Sequence, residues 1–428
     1  MIKKSFRLFL LLGSMVALTL SFYHLVMAEP EAPDAPTSAP NWNTPVTISS
    51  GDSGARLPSI ASAPNSKEVI VAYVSQRSGV STNTDPYYRA SSNFGATFPS
   101  PPAPINTNGS TETIDVSVTF DSLNRAHALW IEETVSNSRQ LRYAREDSWP
   151  STSSLRASVA SPGVLFTPRI VASGSSTIDI VWAGDTSGII TDIYHSRSTN
   201  NGSTWPISGV VFDTMDLSQS PDFAVGNGII HLVWSEGLFN SKIYYTRGTV
   251  SGSTVSWSAR VAISDQSGAT NAVEPSIYVS GSTIHVSYTN RPSESQQTIN
   301  YLRCNSGCTN LNNWISSNNP VSGTFVGANI GDPFDVASSV IQLGNCTYMY
   351  FHGVQSGQTN EQILGVNSCG NWSSSKRDEV TSSSTRALNP DFAMHNNWWL
   401  YLVYENKSGG YIVFQRNTPA IYLPTILR

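Results

Sequence analysis

Charge is the first thing this chain lacks. Only 13% of its 428 residues are Asp, Glu, Lys or Arg, against roughly 25% in an average soluble protein, and their balance is −5. That sign excludes a basic face for nucleic acid, and the surface must be built from Ser, Thr and Asn instead. Long apolar runs are lacking too. The stretch from Leu8 to about Phe22 falls short of the roughly 20 residues needed to span a bilayer, and nothing after it comes closer. H-E-x-x-H, G-x-S-x-G, the Walker glycines and the dinucleotide fingerprint are all missing, which removes the zinc-protease, hydrolase-elbow and nucleotide chemistries those motifs carry. Cysteine is scarce, with four residues, all in the last third of the chain.

What is present is repetition. From Pro168 to Trp205 the chain reads as a strand opening on proline, a second strand of alternating apolar residues ending at Trp182, a third through Tyr194 and Arg197, and a Ser-x-Asn-x-Gly-x-Thr-Trp turn. Aligned on the aromatic that closes its second strand, the unit recurs at Tyr73, Trp130, Trp182, Trp234, Tyr288, Phe351 and Tyr404, at intervals of 57, 52, 52, 54, 63 and 53 residues. Pro58, Pro168, Pro221, Pro275, Pro333 and Pro390 open the first strands, and Asp115 takes the proline's place in the second copy. One four-stranded sheet per period of about 50 residues is the arithmetic of a propeller blade. The expectation is an all-β, seven-bladed β-propeller forming one domain over residues 42–416, with six blades as the alternative.

The ends have their own signals. Residues 1–28 carry Lys3, Lys4 and Arg7, an apolar stretch, and Val26-Met-Ala28 as a small-residue cleavage site, the pattern of a secretory signal peptide. Its removal takes the balance from −5 to −8 and leaves a mature chain without a membrane span, secreted or held at the cell surface. Residues 29–41 form a proline-rich linker. Trp42 to Gly54 matches Trp257 to Gly268, the outer strand of the fourth repeat, so an outer strand stands at the N-terminus without inner strands of its own. The seventh repeat lacks one, and closing the ring would remove exposed sheet edges. The competing candidate for that strand is the tail, 417–428, which Pro424 weakens. The tail resembles the terminal YLP-type sequences of some secreted bacterial proteins, a hint of surface sorting.

Ser198-Thr-Asn-Asn-Gly-Ser-Thr-Trp205 and Ser91-Ser-Asn-Phe-Gly-Ala-Thr-Phe98 resemble the Asp-box, or BNR repeat, of the sialidase superfamily, with Asn where Asp is usual. In such a turn a short polar side chain bonds the backbone, glycine takes the positive φ, and the aromatic packs under the hairpin. The resemblance implies a polar funnel at the opposite end, lined by loops that enter the first strands and leave the second. Arg56, Asp115, Arg169, Asp222, Glu274, Asp332 and Asp391 hold the incoming positions; Gln76, Arg77, Glu132, Glu133, Glu236, Arg291, His352 and Glu405 hold the outgoing ones.

For sialidase chemistry the resemblance implies an arginine cluster on the sugar carboxylate, an acid, and a tyrosine nucleophile activated by a glutamate. Ala55-Arg-Leu-Pro58 is similar to the motif of the first triad arginine, and Ser75-Gln-Arg77 to the second arginine motif. Asp85 stands as the acid, Glu274 as the activating glutamate, Arg291 as the second triad arginine and Arg386 as a substitute third. The nucleophile is open among Tyr348, Tyr350, Tyr401, Tyr404 and Tyr422. Catalytic members have six blades, and this chain has no arginine between Arg303 and Arg377.

His127, His231 and His285 each precede the repeat aromatic by three residues, in different repeats. They belong to packing or hydrogen bonding between blades, not to one metal. Aspartates near the axis are the one conceivable Ca²⁺ site, but the spacing of a dedicated loop is absent, so no metal and no cofactor is expected. An exported chain with four cysteines favours two disulfides, Cys304 with Cys308 and Cys346 with Cys369. Two functions follow: a monomeric, non-catalytic propeller presenting its funnel to a glycan or a cell-surface protein, or an exo-sialidase-type glycoside hydrolase.

Overall fold

The computed structural model describes residues 40–418 apart from 77–82, 107–110, 135–137, 151–154, 159–163, 186–189, 206, 252–253, 294–295, 318–324, 327–337, 356–357, 370–375 and 396–398. The signal peptide, nearly all of the linker, Arg77, Asp332 and the tail from 419 on therefore lie outside the described residues.

Seven antiparallel sheets follow one another along the chain, and three short 3₁₀ turns are the only helix among the described residues. They occupy residues 53–104, 112–158, 164–212, 218–262, 272–317 and 325–379, while the seventh combines 387–416 with 46–47. The fold is thus a seven-bladed β-propeller, and the six-bladed alternative is excluded. In the first six blades the chain steps from the inner strand outwards; in the sixth the inner strand is split between Phe325–Val326 and Ser338–Leu343.

The second strand of each blade explains the repeat. Val69–Gln76 and Ile178–Asp185 are buried almost end to end, because a mid-blade strand has a neighbouring blade on both faces. Alternate side chains go opposite ways. Ile70, Ala72 and Val74 pack towards blade 2, whereas Val69, Val71 and Tyr73 pack towards blade 7. The described core divides into seven such clusters, one at each junction. Every repeat aromatic, from Tyr73 to Tyr404, faces the preceding blade, so the period seen in the sequence is a period of inter-blade wedges.

The turn aromatics do the same outside the second strands. Phe98 lies 4.9 Å from Phe414 of blade 7, Trp205 5.4 Å from Tyr143 of blade 2, and Trp314 5.1 Å from Tyr245 of blade 4, ring centre to ring centre. They pack against the blade before their own, not simply under their own hairpin. Both Ser-x-Asn-x-Gly turns take one form: Ser198 Oγ accepts from Gly202 N at 2.9 Å and Asn200 Oδ1 from Thr204 N at 2.8 Å, and Ser91 and Asn93 repeat the pattern at 3.0 and 2.9 Å.

The ring closes on the N-terminal segment. Val46 and Thr47 pair with Phe414 and Val413, as Val261 pairs with Tyr245 in blade 4, which is the register the internal match implies. Trp42 reaches across to blade 6, donating from Nε1 to Asp378 Oδ2 at 2.6 Å beside Tyr350.

Candidate binding site on the propeller axis

Each inner strand places one residue opposite the position just before the repeat aromatic: Ser59, Ser117, Arg169, Asp222, Ser276, Ser339 and Asp391. They form a ring in the wall of a cavity of about 540 Å³ on the propeller axis. Inner strands have no sheet partner on the axial side, so their N–H groups need other acceptors. The ring supplies some of them from blade to blade. Ile60 N donates to Asp391 Oδ2 at 2.9 Å, Ile277 N to Asp222 Oδ2 at 2.9 Å, and Val118 N to Ser59 Oγ at 3.2 Å. Asp222 and Asp391 also each accept the N–H of the following residue, at 3.0 and 2.8 Å. These two carboxylates are stitches between blades.

Arg169 cannot stitch, because a guanidinium has donors only. It donates from Nη1 to Pro168 O at 3.1 Å, and stands 3.9 Å from both Asp115 Oδ2 and Asp222 Oδ1, beyond hydrogen-bond range. Protein surrounds it, yet its side chain remains 39% exposed to the cavity. Burial works against its charge, but Asp115, Asp222, Asp391 and Glu274 together outweigh that and push its pKa up.

Two residues before the ring lies a second layer. In five blades this residue precedes a proline and has a positive φ: Leu57, Thr167, Ser220, Glu274 and Asn389, between 45° and 52°. A β-bulge follows, with a register shift at the same place, and proline is tolerated there because a bulge on an unpaired edge needs no N–H. Asp115 holds this layer in blade 2, the equivalent of Glu274 in blade 5. It does not take the proline's place, which belongs to Val116, since Ser117 is the ring residue.

Burial pushes Asp115 and Asp222 up to about 6, with Arg169 opposing it in both. Glu274 is raised by burial against the hydrogen bond from Ser220 Oγ (2.8 Å) and the charge of Arg291; Asp391 is raised by burial against the Ile60 N–H.

The other sequence candidates divide. Glu274 lines the cavity; Asp85 does not, being buried on the third strand of blade 1 opposite Ser75. Arg56 lies opposite Val74 on the inner strand of that blade and acts on Asp115 through its charge. Arg291, at the outgoing end of blade 5, acts on Glu274 and on buried His352. Arg386 is engaged by Glu361 through both carboxylate oxygens, at 2.7 and 3.2 Å. Tyr348, Tyr350, Tyr401 and Tyr404 are core side chains whose burial pushes their hydroxyl pKa values up. Glu132 and Glu236 are held within their blades by Trp130 and Trp234 Nε1, each at 3.0 Å. Sequence reasoning missed the four ring serines. Their signal was available, because each stands at a fixed register from a repeat aromatic.

His127, His231 and His285 bond Tyr143, Tyr245 and Tyr301 on the third strand of their own blades, at 2.7, 2.8 and 2.7 Å. These bonds lie within the blades; the link between blades comes from Gln342 of blade 6, which meets His285, and from Tyr143, which reaches Asn201 of blade 3 at 3.0 Å. Among the described residues no three His, Cys, Asp or Glu side chains are grouped to hold a metal. Cys304 bonds Cys308, and Cys346 bonds Cys369.

Topology and cavity define the class: a closed seven-bladed propeller with a ligand-sized pocket on its axis. Among solved structures the chain is similar to a protein of unknown function from Dyadobacter fermentans, with a TM-score of 0.51 and 12% identity over 89% of this chain and 100% of that one. It is also similar to a sialidase of Trypanosoma rangeli (TM-score 0.48, 10% identity, 89% of this chain and 60% of that one) and to the NanB sialidase of Streptococcus pneumoniae (0.46, 13%, 88% and 70%). At these identities the likeness is one of fold. No protein-family model matches the sequence, and no curated protein does.

Proposed function

We propose that the protein is a secreted propeller that binds a glycan in its axial cavity without cleaving it. The observation that carries this reading is the make-up of the cavity wall, which among the described residues has one arginine, no tyrosine and four carboxylates. A clamp for a sugar carboxylate needs converging cations, and a wall with this charge balance repels an acidic sugar. Residues such as Ser59, Ser117, Ser276 and Asn389 offer hydroxyl and amide groups suited to sugar hydroxyls, and the volume falls within the range of small-molecule sites. Export is supported by the two disulfides and by the signal-like pattern of residues 1–28.

The test is hydrolysis of a fluorogenic sialoside by the purified protein, alongside calorimetric titration with neutral and sialylated oligosaccharides. The expected outcome is no turnover, with binding of the neutral sugar only. Turnover that Asp85→Ala and Glu274→Ala both abolish would overturn this reading in favour of an exo-sialidase-type enzyme.

A further inference from the structure

Within the axial cavity the polar groups are not equivalent. Asp222 and Asp391 each give both carboxylate oxygens to backbone N–H groups, so they are committed to holding blades together. Asp115 gives Oδ1 to Val116 N at 2.7 Å, and Glu274 gives Oε1 to Ser220 Oγ at 2.8 Å. Asp115 Oδ2 is left at 3.9 Å from Arg169, too far to bond it. Among the described residues Glu274 Oε2 likewise accepts no hydrogen bond. The two carboxylates come from blades 2 and 5, with Arg169 of blade 3 in the wall between them. Among the described residues only one of its guanidinium nitrogens, Nη1, donates a hydrogen bond, to Pro168 O. The cavity therefore offers two acceptor-only anions and a donor-only cation in one space.

A neutral sugar would use the arginine and the serines but would leave one oxygen of each anion without a charged donor in hydrogen-bond contact. A carboxylate-bearing sugar would satisfy the arginine and be repelled by four acidic groups. A protonated amine beside a hydroxyl satisfies both sets: the ammonium, a three-donor point charge, is taken by a carboxylate, and the hydroxyl oxygen accepts from Arg169. Resting on the glycan-binding reading above, we infer that the axial cavity recognises an amino sugar in its free, N-unsubstituted form, with Asp115 and Glu274 as the groups that read the amine.

The inference is tested by calorimetric titration of the purified protein with three disaccharides of one linkage: glucosamine with free amines, its N-acetylated counterpart, and the neutral glucose analogue. Putrescine serves as a fourth probe, an amine without a sugar. The free-amine disaccharide is expected to bind at least tenfold more tightly than the other two sugars. That advantage should weaken with added salt and be lost in Asp115→Asn and Glu274→Gln, two isosteric changes whose folding is checked by circular dichroism. Equal binding of all three sugars would overturn amine recognition and leave the glycan reading standing. Binding of putrescine with none of the sugars would overturn the glycan reading and keep the carboxylate pair as an amine site. No binding of any of the four would overturn both.

Discussion

Gly202 sits at φ +78° with the ring of Tyr143 so close that an added Cβ would fall 2.0 Å from its edge. That ring also bonds His127 and Asn201, so it cannot move aside without breaking both contacts. Gly202→Ala is expected to lower unfolding free energy by about 2–4 kcal/mol in urea titration, combining the positive-φ penalty with overpacking. Asp115 makes the opposite point, since a raised pKa in the folded state means that its ionised form opposes folding. Its contribution to stability is fully present below the unfolded value near 3.8 and is lost as pH rises through about 6. Asp115→Asn should therefore stabilise the protein at pH 7.5, by at most about 3 kcal/mol from a shift of about two pH units, and the gain should vanish near pH 4. Burial sets this behaviour, with Arg169 and Arg56 opposing the shift and Asp391 adding to it. Of these residues all but Arg56 lie in the cavity wall.

Among elements, the N-terminal strand carries more than its two paired residues suggest. Asn43 N donates to Arg416 O at 2.9 Å, Ile48 N to Ile412 O at 2.8 Å, and Trp42 joins blade 7 to blade 6. Trp42→Ala removes a ring wedged against Tyr350 and Phe392 and leaves Asp378 one donor short. It is expected to cost about 3–5 kcal/mol and to promote association through the uncovered edge of Tyr411–Arg416, measurable by thermal melting and light scattering. The disulfides rank by the loops they close. Replacing Cys346 and Cys369 by Ser, separated by 23 residues, should cost about 3 kcal/mol. The same change at Cys304 and Cys308, separated by 4, should cost about 2 on loop entropy alone.

At the scale of the whole molecule, three His–Tyr pairs recur in blades 2, 4 and 5, and burial lowers each histidine pKa to about 4. A lowered histidine pKa stabilises the fold above the unfolded value near 6.5, and that contribution is lost as pH falls towards 4. Asp115 and Asp222 run the other way over nearly the same range. Stability should therefore fall from pH 7 to pH 4.5 less steeply than the histidines alone dictate. In a triple His→Gln variant the fall should become shallower still, with His352 and His395, whose pKa values burial also lowers, left to oppose the aspartates. Urea midpoints that fall towards acid as steeply as in the parent would show that other groups govern acid unfolding.

Much was legible in the chain itself. The blade number follows from an aromatic every 52 to 63 residues, because that aromatic fills the same inter-blade space seven times. The closing strand follows from the match of Trp42 with Trp257, and the disulfides from one cysteine pair across a turn and another across neighbouring strands. The candidate site was legible in part. Asp115, Arg169, Asp222, Glu274 and Asp391 are found because they stand next to the repeat's opening residue, while Asp85, offered as the acid by resemblance alone, is buried on a third strand away from the cavity. What only the tertiary structure decided is which polar groups are already taken. Asp222 and Asp391 look like Asp115 in the sequence, yet their oxygens hold the next blade, and Arg386 looks free until Glu361 meets it. Period and composition act along the chain and can be read there. The partners of a side chain come from the neighbouring blades and become known only when the ring is closed.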